Sequence, residues 1–245
     1  MSAVRKLDLA KVAFRLAFLQ SVWREGAMQS EGLAWCLLPG LRRLHPDLES
    51  RAAALRRYRG PFNTHPFLAG VIAGAVLRLE QEGTSSRRIS SFVGGAMGGL
   101  AAVGDPFFRD ALAPAVTLLA ALTALLAGPL EAIAVLVLLF NAVHITVRLA
   151  GVRVGFREGT AAPAHVARWI GPARVRRIKV LGAVAGGLVL WALATRWSGD
   201  RLLPVGIGAG LAGLGAAAAF VARRALAVWL VLALLSAALL SEVLL

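Results

Sequence analysis

One cysteine, Cys36, is all the chain carries, so an intrachain disulfide and a thiolate metal cluster are both excluded. Acidic residues are few, with 13 Asp and Glu against 27 Lys and Arg and a formal net charge of +14. No G-x-x-x-x-G-K-[ST] phosphate loop is present, so the chain is not itself an ATPase. Neither a G-x-S-x-G elbow nor an H-E-x-x-H helix appears. The glycine pairs at 94–95 and 98–99 follow no strand and make no dinucleotide fingerprint. His, Cys, Asp and Glu do not cluster at metal-ligand spacing, so no metal is expected. The first 20 residues lack the continuous apolar core and small-residue cleavage site of a signal peptide.

Apolar residues make up 58% of the 245 positions, and mean hydropathy is +0.71. A soluble domain of this length could not bury that much apolar surface, which makes a membrane the expected solvent. The basic residues crowd between apolar runs, as a topology signal and an attraction to anionic lipid headgroups require. That placement argues against nucleic acid as a partner.

Three zones follow in order. Residues 1–60 are mixed and carry eleven Lys/Arg. There Val12, Leu16 and Leu19 form one apolar ridge, and Phe14 and Phe18 a second, as in an amphipathic helix. A second segment, "EGLAWCLLPG", is expected to stop at Pro39-Gly40, and both suit the membrane interface better than a span. Residues 61–107 are apolar but broken. "PFLAGVIAGAVLRL" and "FVGGAMGGLAAVG" fall short of the roughly 20 residues needed to cross a bilayer, so they read as two re-entrant hairpins. Residues 107–245 hold about five transmembrane helices, near 110–127, 130–148, 178–196, 202–222 and 226–245. The glycines at 206–215 suit close helix packing. The loop 148–179, with eight Lys/Arg, and Arg223-Arg224 are expected on the cytoplasmic side. The N-terminus is then cytoplasmic and the C-terminus extracytoplasmic. The expected fold is all-α and integral to the membrane.

Polar side chains at membrane depth mark the candidate sites. In "GPFNTHPFLAG", Pro66 fits the first position of a helix, with Thr64 and His65 near its N-cap and Asn63 just before. Capping needs one such residue, whereas three in a row match the half-helix ends that transporters use for binding. In "VGDPFFRD", Asp105 before Pro106 repeats the cap-then-proline order, Gly104 frees the backbone to turn, and Arg109 is placed to pair with Asp105. Asp105 reads either as a capping residue in a satisfied ion pair or as a carboxylate for a substrate hydroxyl. In "LLFNAVHITVRLAG", Asn141, His144 and Arg148 line one helix face. Arg148 reads as a topology anchor, Asn141 as helix–helix glue or a ligand, and His144 as a packed histidine.

"FLQSVWREGAMQSEGLAWCLLPGLRRLHPD", "PFNTHPFLAG", "GGLAAVGDPFF" and "LLFNAVHITVRLAGVRVGFREG", in that order, resemble the membrane-embedded IID component of the mannose/fructose/sorbose-type sugar phosphotransferase system. The likeness runs from about residue 10 to 160. It implies a transport core over 61–160, between interfacial helices at 1–60 and membrane helices at 161–245. It implies a IIC membrane subunit as partner, a trimer of IIC–IID pairs in contact with membrane lipid, and a hexose carried by an elevator-like movement. IIA and IIB are the phosphate carriers, so this subunit is non-catalytic, needs no cofactor, and His65 is not a phosphohistidine. The family's F-N-T segment falls on Phe62, Asn63 and Thr64, its G-D-P/S turn on Gly104, Asp105 and Pro106, its hairpin glutamate on Glu80, and its Q-x-x-W on Gln20 and Trp23. The implied substrate-binding residues are Asn63, Thr64, Asp105, Glu80, Gln20 and Asn141. The chain departs from the family at Arg109, Ala113 and "GGLAA", and a docking role for phosphotransferase regulators in the cytoplasmic membrane is the second reading.

Overall fold

The computed structural model describes residues 3–198, together with Gly210 and Gly213. The expected spans at 202–222 and 226–245, and with them the position of the C-terminus, otherwise lie outside the described residues. Among the described residues the chain is helical, with no strand. The helices are α1 Lys6–Arg15, α2 Ser30–Leu44, α3 Leu48–Arg56, α4 Ala69–Gln81, α5 Ser86–Phe107, α6 Ala113–Leu126, α7 Pro129–Glu158, α8 Ala162–Ile170 and α9 Pro172–Ser198. They divide into two compact units, one of residues 1–105 and 142–171, the other of 106–141 and 172–245. These units and the consecutive zones read from composition divide the chain by different criteria.

The first unit is built around α4. Eleven of its thirteen residues are buried, as expected of a helix that is apolar on every side. The first apolar ridge of the N-terminus, Val12, Leu16 and Leu19, is fully buried, while the second, Phe14 and Phe18, faces outward. Helix α2 does not stop at Pro39-Gly40 but continues to Leu44. A proline inside a helix leaves the carbonyl four residues earlier without its donor. Here that carbonyl is Trp35 O, and Arg15 Nη1 supplies the missing bond at 2.8 Å. Gly40 leaves room for the Leu77 side chain, which lies 2.5 Å from where a Cβ would sit.

Helices α4 and α7 meet backbone to backbone through two Gly-x-x-x-Gly pairs, Gly70/Gly74 and Gly151/Gly155. A Cβ on Gly74 would fall 2.1 Å from Val152 O, and one on Gly155 would fall 2.1 Å from Val71 O. Small residues at this spacing let two helix backbones approach closely.

In the second unit, α6 packs on α9. Gly182 lies against Ala115, and Arg196 Nη2 donates to Leu125 O at 2.5 Å. The opening half of α7 exposes Leu136, Val137, Leu138 and Leu139 in succession. Four consecutive positions point around the whole helix, so an apolar medium must surround it.

Two further expectations change. "FVGGAMGGLAAVG" is not a separate short piece but the middle of the 22-residue α5, joined to α4 by the turn at 82–85. Helix α5 then runs through a wide π turn at Phe108–Leu112 directly into α6. That turn follows Pro106, the usual association of a π turn with a broken ladder of hydrogen bonds. The stretch 148–179 is not a loop, being occupied by the end of α7, a 3-10 turn at Gly159–Ala161, α8 and the start of α9. Among the described residues, two helical stretches, Ser86–Leu126 and Pro129–Leu193, are long and apolar enough to cross a membrane. They contain the expected span at 130–148 and most of those at 110–127 and 178–196.

Candidate functional site

The segment Phe62–Thr64 is held in an extended form, with Phe62 bridged to Met28, before the turn that leads into α4. Gln29 N donates to Phe62 O at 2.8 Å, and Phe62 N donates to Ala27 O at 3.4 Å. Side chains in extended backbone alternate in direction. Phe62 and Thr64 accordingly turn inward and are buried, while Asn63 between them is exposed. The buried Gln29 amide grips Thr64 at both ends, with Nε2 donating to Thr64 O at 3.0 Å and Oε1 accepting from Thr64 N at 3.2 Å. The Thr64 hydroxyl donates to Met97 O on α5 at 2.9 Å. Every hydrogen-bonding group of Thr64 is therefore engaged by the protein. Asn63 makes no hydrogen bond among the described residues.

His65 braces the turn before α4 and not the helix itself, whose N-cap, Leu68, has no side-chain cap bond. His65 Nδ1 accepts from Phe67 N at 3.3 Å, and the His65 carbonyl accepts from Leu68 N and Ala69 N. Helix α4 begins at Ala69, so Pro66 opens the turn before the helix instead of occupying its first position. Gly104 has a different task from the turn expected of it. A Cβ there would lie 2.5 Å from His65 Cβ, so glycine is what lets the His65 ring seat against α5. The segment thus touches α5 at Met97 and Gly104, two helical turns apart.

Asp105 lies inside α5 and caps nothing. It is half-buried, with no ion pair or hydrogen bond among the described residues, while Arg109 pairs with its exposed neighbour Asp110 at 3.2 Å. The expected Asp105–Arg109 pair is therefore replaced. Asn63, Thr64, His65 and the Gly104–Asp105 step are brought to one region of the first unit.

Glu80 stands at the far end of α4, about 17 Å along the helix from Ala69. It is buried and fully occupied. Arg57 Nη1 reaches both its oxygens at 2.5 and 2.6 Å, the Tyr58 hydroxyl donates to Oε1 at 2.5 Å, and His45 Nε2 lies 3.3 Å from Oε2. Burial, and then the charge of the adjacent carboxylate, push the Tyr58 hydroxyl pKa well above its ordinary value, so it remains a donor. Glu80 thereby ties α2, α3 and α4 together. Gln20 is exposed in the turn after α1. Asn141, in the second unit, donates from Nδ2 to Val137 O of its own helix at 2.7 Å. Neither joins the Thr64 cluster.

Three participants escape a reading of sequence alone. Gln29 is one, since no spacing rule links it to Thr64 thirty-five positions on. Phe67 is another: its ring stacks with His144 at 4.5 Å between centroids and lies 5.1 Å beneath the Arg148 guanidinium. Arg148, expected as a topology anchor, is thus turned onto the segment that precedes α4. Gly151/Gly155 is the third, and the small-x-x-x-small spacing in "GVRVG" was the available signal.

Residues 3–198 match the family model described as the PTS system mannose/fructose/sorbose family IID component. The chain belongs to this family. It is similar to the mannose-specific EIID component of the PTS of Escherichia coli K12, with 32% identity over 200 residues that cover 78% of this chain and 68% of the relative. The fructose permease IID component of Bacillus subtilis is 27% identical over 201 residues, covering 79% and 70%. Among solved structures, it resembles a chain of the mannose transporter ManYZ in complex with microcin E492, at a TM-score of 0.62 and 25% identity, over 99% of this chain and 98% of that one. The IID family, the apolar helical stretches and the transporter likeness make this a membrane component of a phosphotransferase sugar-transport system.

Proposed function

We propose that this IID chain works with a IIC subunit to bind a hexose and carry it across the cytoplasmic membrane, while IIB, charged by IIA, phosphorylates the sugar. The chain itself transfers no phosphate and takes no cofactor. The assembly in this reading is a trimer of IIC–IID pairs, and the eleven Lys/Arg of residues 1–60 support a cytoplasmic N-terminus.

The observation that carries the site assignment is the contrast between Asn63 and Thr64. Thr64 has every polar group engaged and is buried, while Asn63 beside it presents a free amide from a rigid segment. An amide can both donate to and accept from sugar hydroxyls, and a half-buried carboxylate such as Asp105 accepts from them. In this reading Asn63 and Asp105 touch the sugar, and exposed Gln20 is a further amide contact. Thr64 and Glu80 act by holding the helices that present them, and Asn141, bonded to Val137 O of its own helix, is not a sugar contact in this reading. Membrane vesicles containing this chain, IIC, IIA, IIB and the general phosphotransferase proteins are expected to phosphorylate a hexose. Asn63→Ala is expected to abolish that activity while IIC still co-purifies. Unchanged phosphorylation in the variant would remove Asn63 from the site. No hexose binding by the wild-type complex would favour the docking role, to which the departures at Arg109 and Ala113 belong.

A further inference from the structure

The outward stripe of α1 is apolar and cationic at once. Leu7, Lys11, Phe14, Arg15 and Phe18 recur at helical spacing, and Leu7, Phe14 and Phe18 are 62%, 68% and 48% exposed. Trp35 of α2 extends the patch, with its ring 6.4 Å from Phe18, which in turn lies 5.7 Å from Phe14. The Arg15 guanidinium sits 4.4 Å over the Trp35 ring centre, and one of its N–H groups serves Trp35 O. Its other donors make no hydrogen bond among the described residues. Ala10, Lys11, Phe14, Arg15 and Trp35 line a recess of about 470 Å³. No carboxylate opposes the cations from α1: Asp8, the one acid between residues 3 and 18, is buried and paired with Arg43 at 3.3 Å.

We propose that this recess docks the headgroup of an anionic phospholipid, with Lys11 and Arg15 on its phosphate and Phe14, Phe18 and Trp35 against the glycerol and upper acyl chain. Charge complementarity selects the occupant. A ring of exposed aromatics beside two cations matches the headgroup level of a bilayer, where aromatic side chains have one apolar and one wet neighbour. The geometry also locks the cation in place, because Arg15 is oriented by the carbonyl that Pro39 leaves vacant. The inference rests on the membrane location of the chain and is independent of the sugar reading.

The full-length chain, purified in detergent, is titrated with phosphatidylglycerol or phosphatidylcholine, and retained lipid is counted by native mass spectrometry. Wild type is expected to retain phosphatidylglycerol preferentially. Lys11 is exposed and makes no hydrogen bond among the described residues, so Lys11→Gln tests the charge without disturbing the fold. Its preference is expected to fall about fivefold, the attraction of one cation for an anionic surface. Arg15→Lys is expected to keep most of the preference, and Phe14→Ser to lower retention of both lipids. Equal retention of the two lipids by wild type, or an undiminished preference in Lys11→Gln, would overturn the proposal. So would loss of a co-purifying protein from Lys11→Gln at unchanged lipid retention, which would make the face a protein interface.

Discussion

Replacing Gly74 with alanine adds one methyl group where α4 and α7 have no room for it. Its Cβ would lie 2.1 Å from Val152 O and 2.7 Å from Phe156 N, both main-chain atoms that cannot rotate aside. Ordinary contact begins near 3.4 Å, so the two helices would have to part by about 1.3 Å along their crossing. Overpacking of this kind costs about 3 kcal/mol where the neighbours are backbone. Alanine returns about 1 kcal/mol through its better helix propensity, for a net loss of about 2 kcal/mol. That is roughly a thirtyfold change in the folded-to-unfolded ratio. Gly94→Ala is the internal control, because a Cβ there meets nothing within 4 Å. It is expected to be neutral or to stabilise by about 1 kcal/mol. The assay is thermal unfolding of the detergent-solubilised chain followed by circular dichroism. If Gly74→Ala unfolds at or above the wild-type midpoint, the close crossing of α4 and α7 is refuted.

Two other outcomes follow from the first unit. Glu80→Ala leaves Arg57 and Tyr58 partly buried with no carboxylate, and is expected to destabilise by on the order of 3 kcal/mol in the same assay, whereas Asn63→Ala leaves the unfolding midpoint unchanged. Equal midpoints for Glu80→Ala and wild type would mean that the hub does not hold α2, α3 and α4 together. Cys36 is fully buried, and burial outweighs the nearby cationic charge of Arg15 and Arg148 to push its pKa up to about 12. Its thiol therefore stays protonated below that value, and maleimide labelling, read by intact mass, is expected to remain slow from pH 7 to 9 and to become rapid only on unfolding. Fast labelling of the folded chain at pH 7 would contradict the burial.

Composition and order of residues were enough to establish an all-helical membrane chain and its family. Apolar content decides the solvent, and motif order is a property of the sequence itself. They were enough, too, to single out Asn63, Thr64 and Asp105, because a polar side chain beside a long apolar run is conspicuous wherever the chain goes. Which of them is buried and which is exposed was decided by contacts between distant segments. Gln29 and Met97 occupy Thr64, so the exposed residue of the pair is Asn63. Local rules misassigned the prolines for the same reason. Pro39 reads as a helix stop because a proline removes a hydrogen bond, and Pro106 as a helix start behind an Asp105 cap. Yet α2 continues past Pro39, where Arg15 restores the bond from another helix, and α5 continues past Pro106, where a π turn absorbs the disruption. Gly104 likewise reads in the sequence as a flexible point, and only the packed structure makes it the place where His65 seats against α5. A helix terminus or a glycine's purpose depends on what lies across from it, and that is set by tertiary packing.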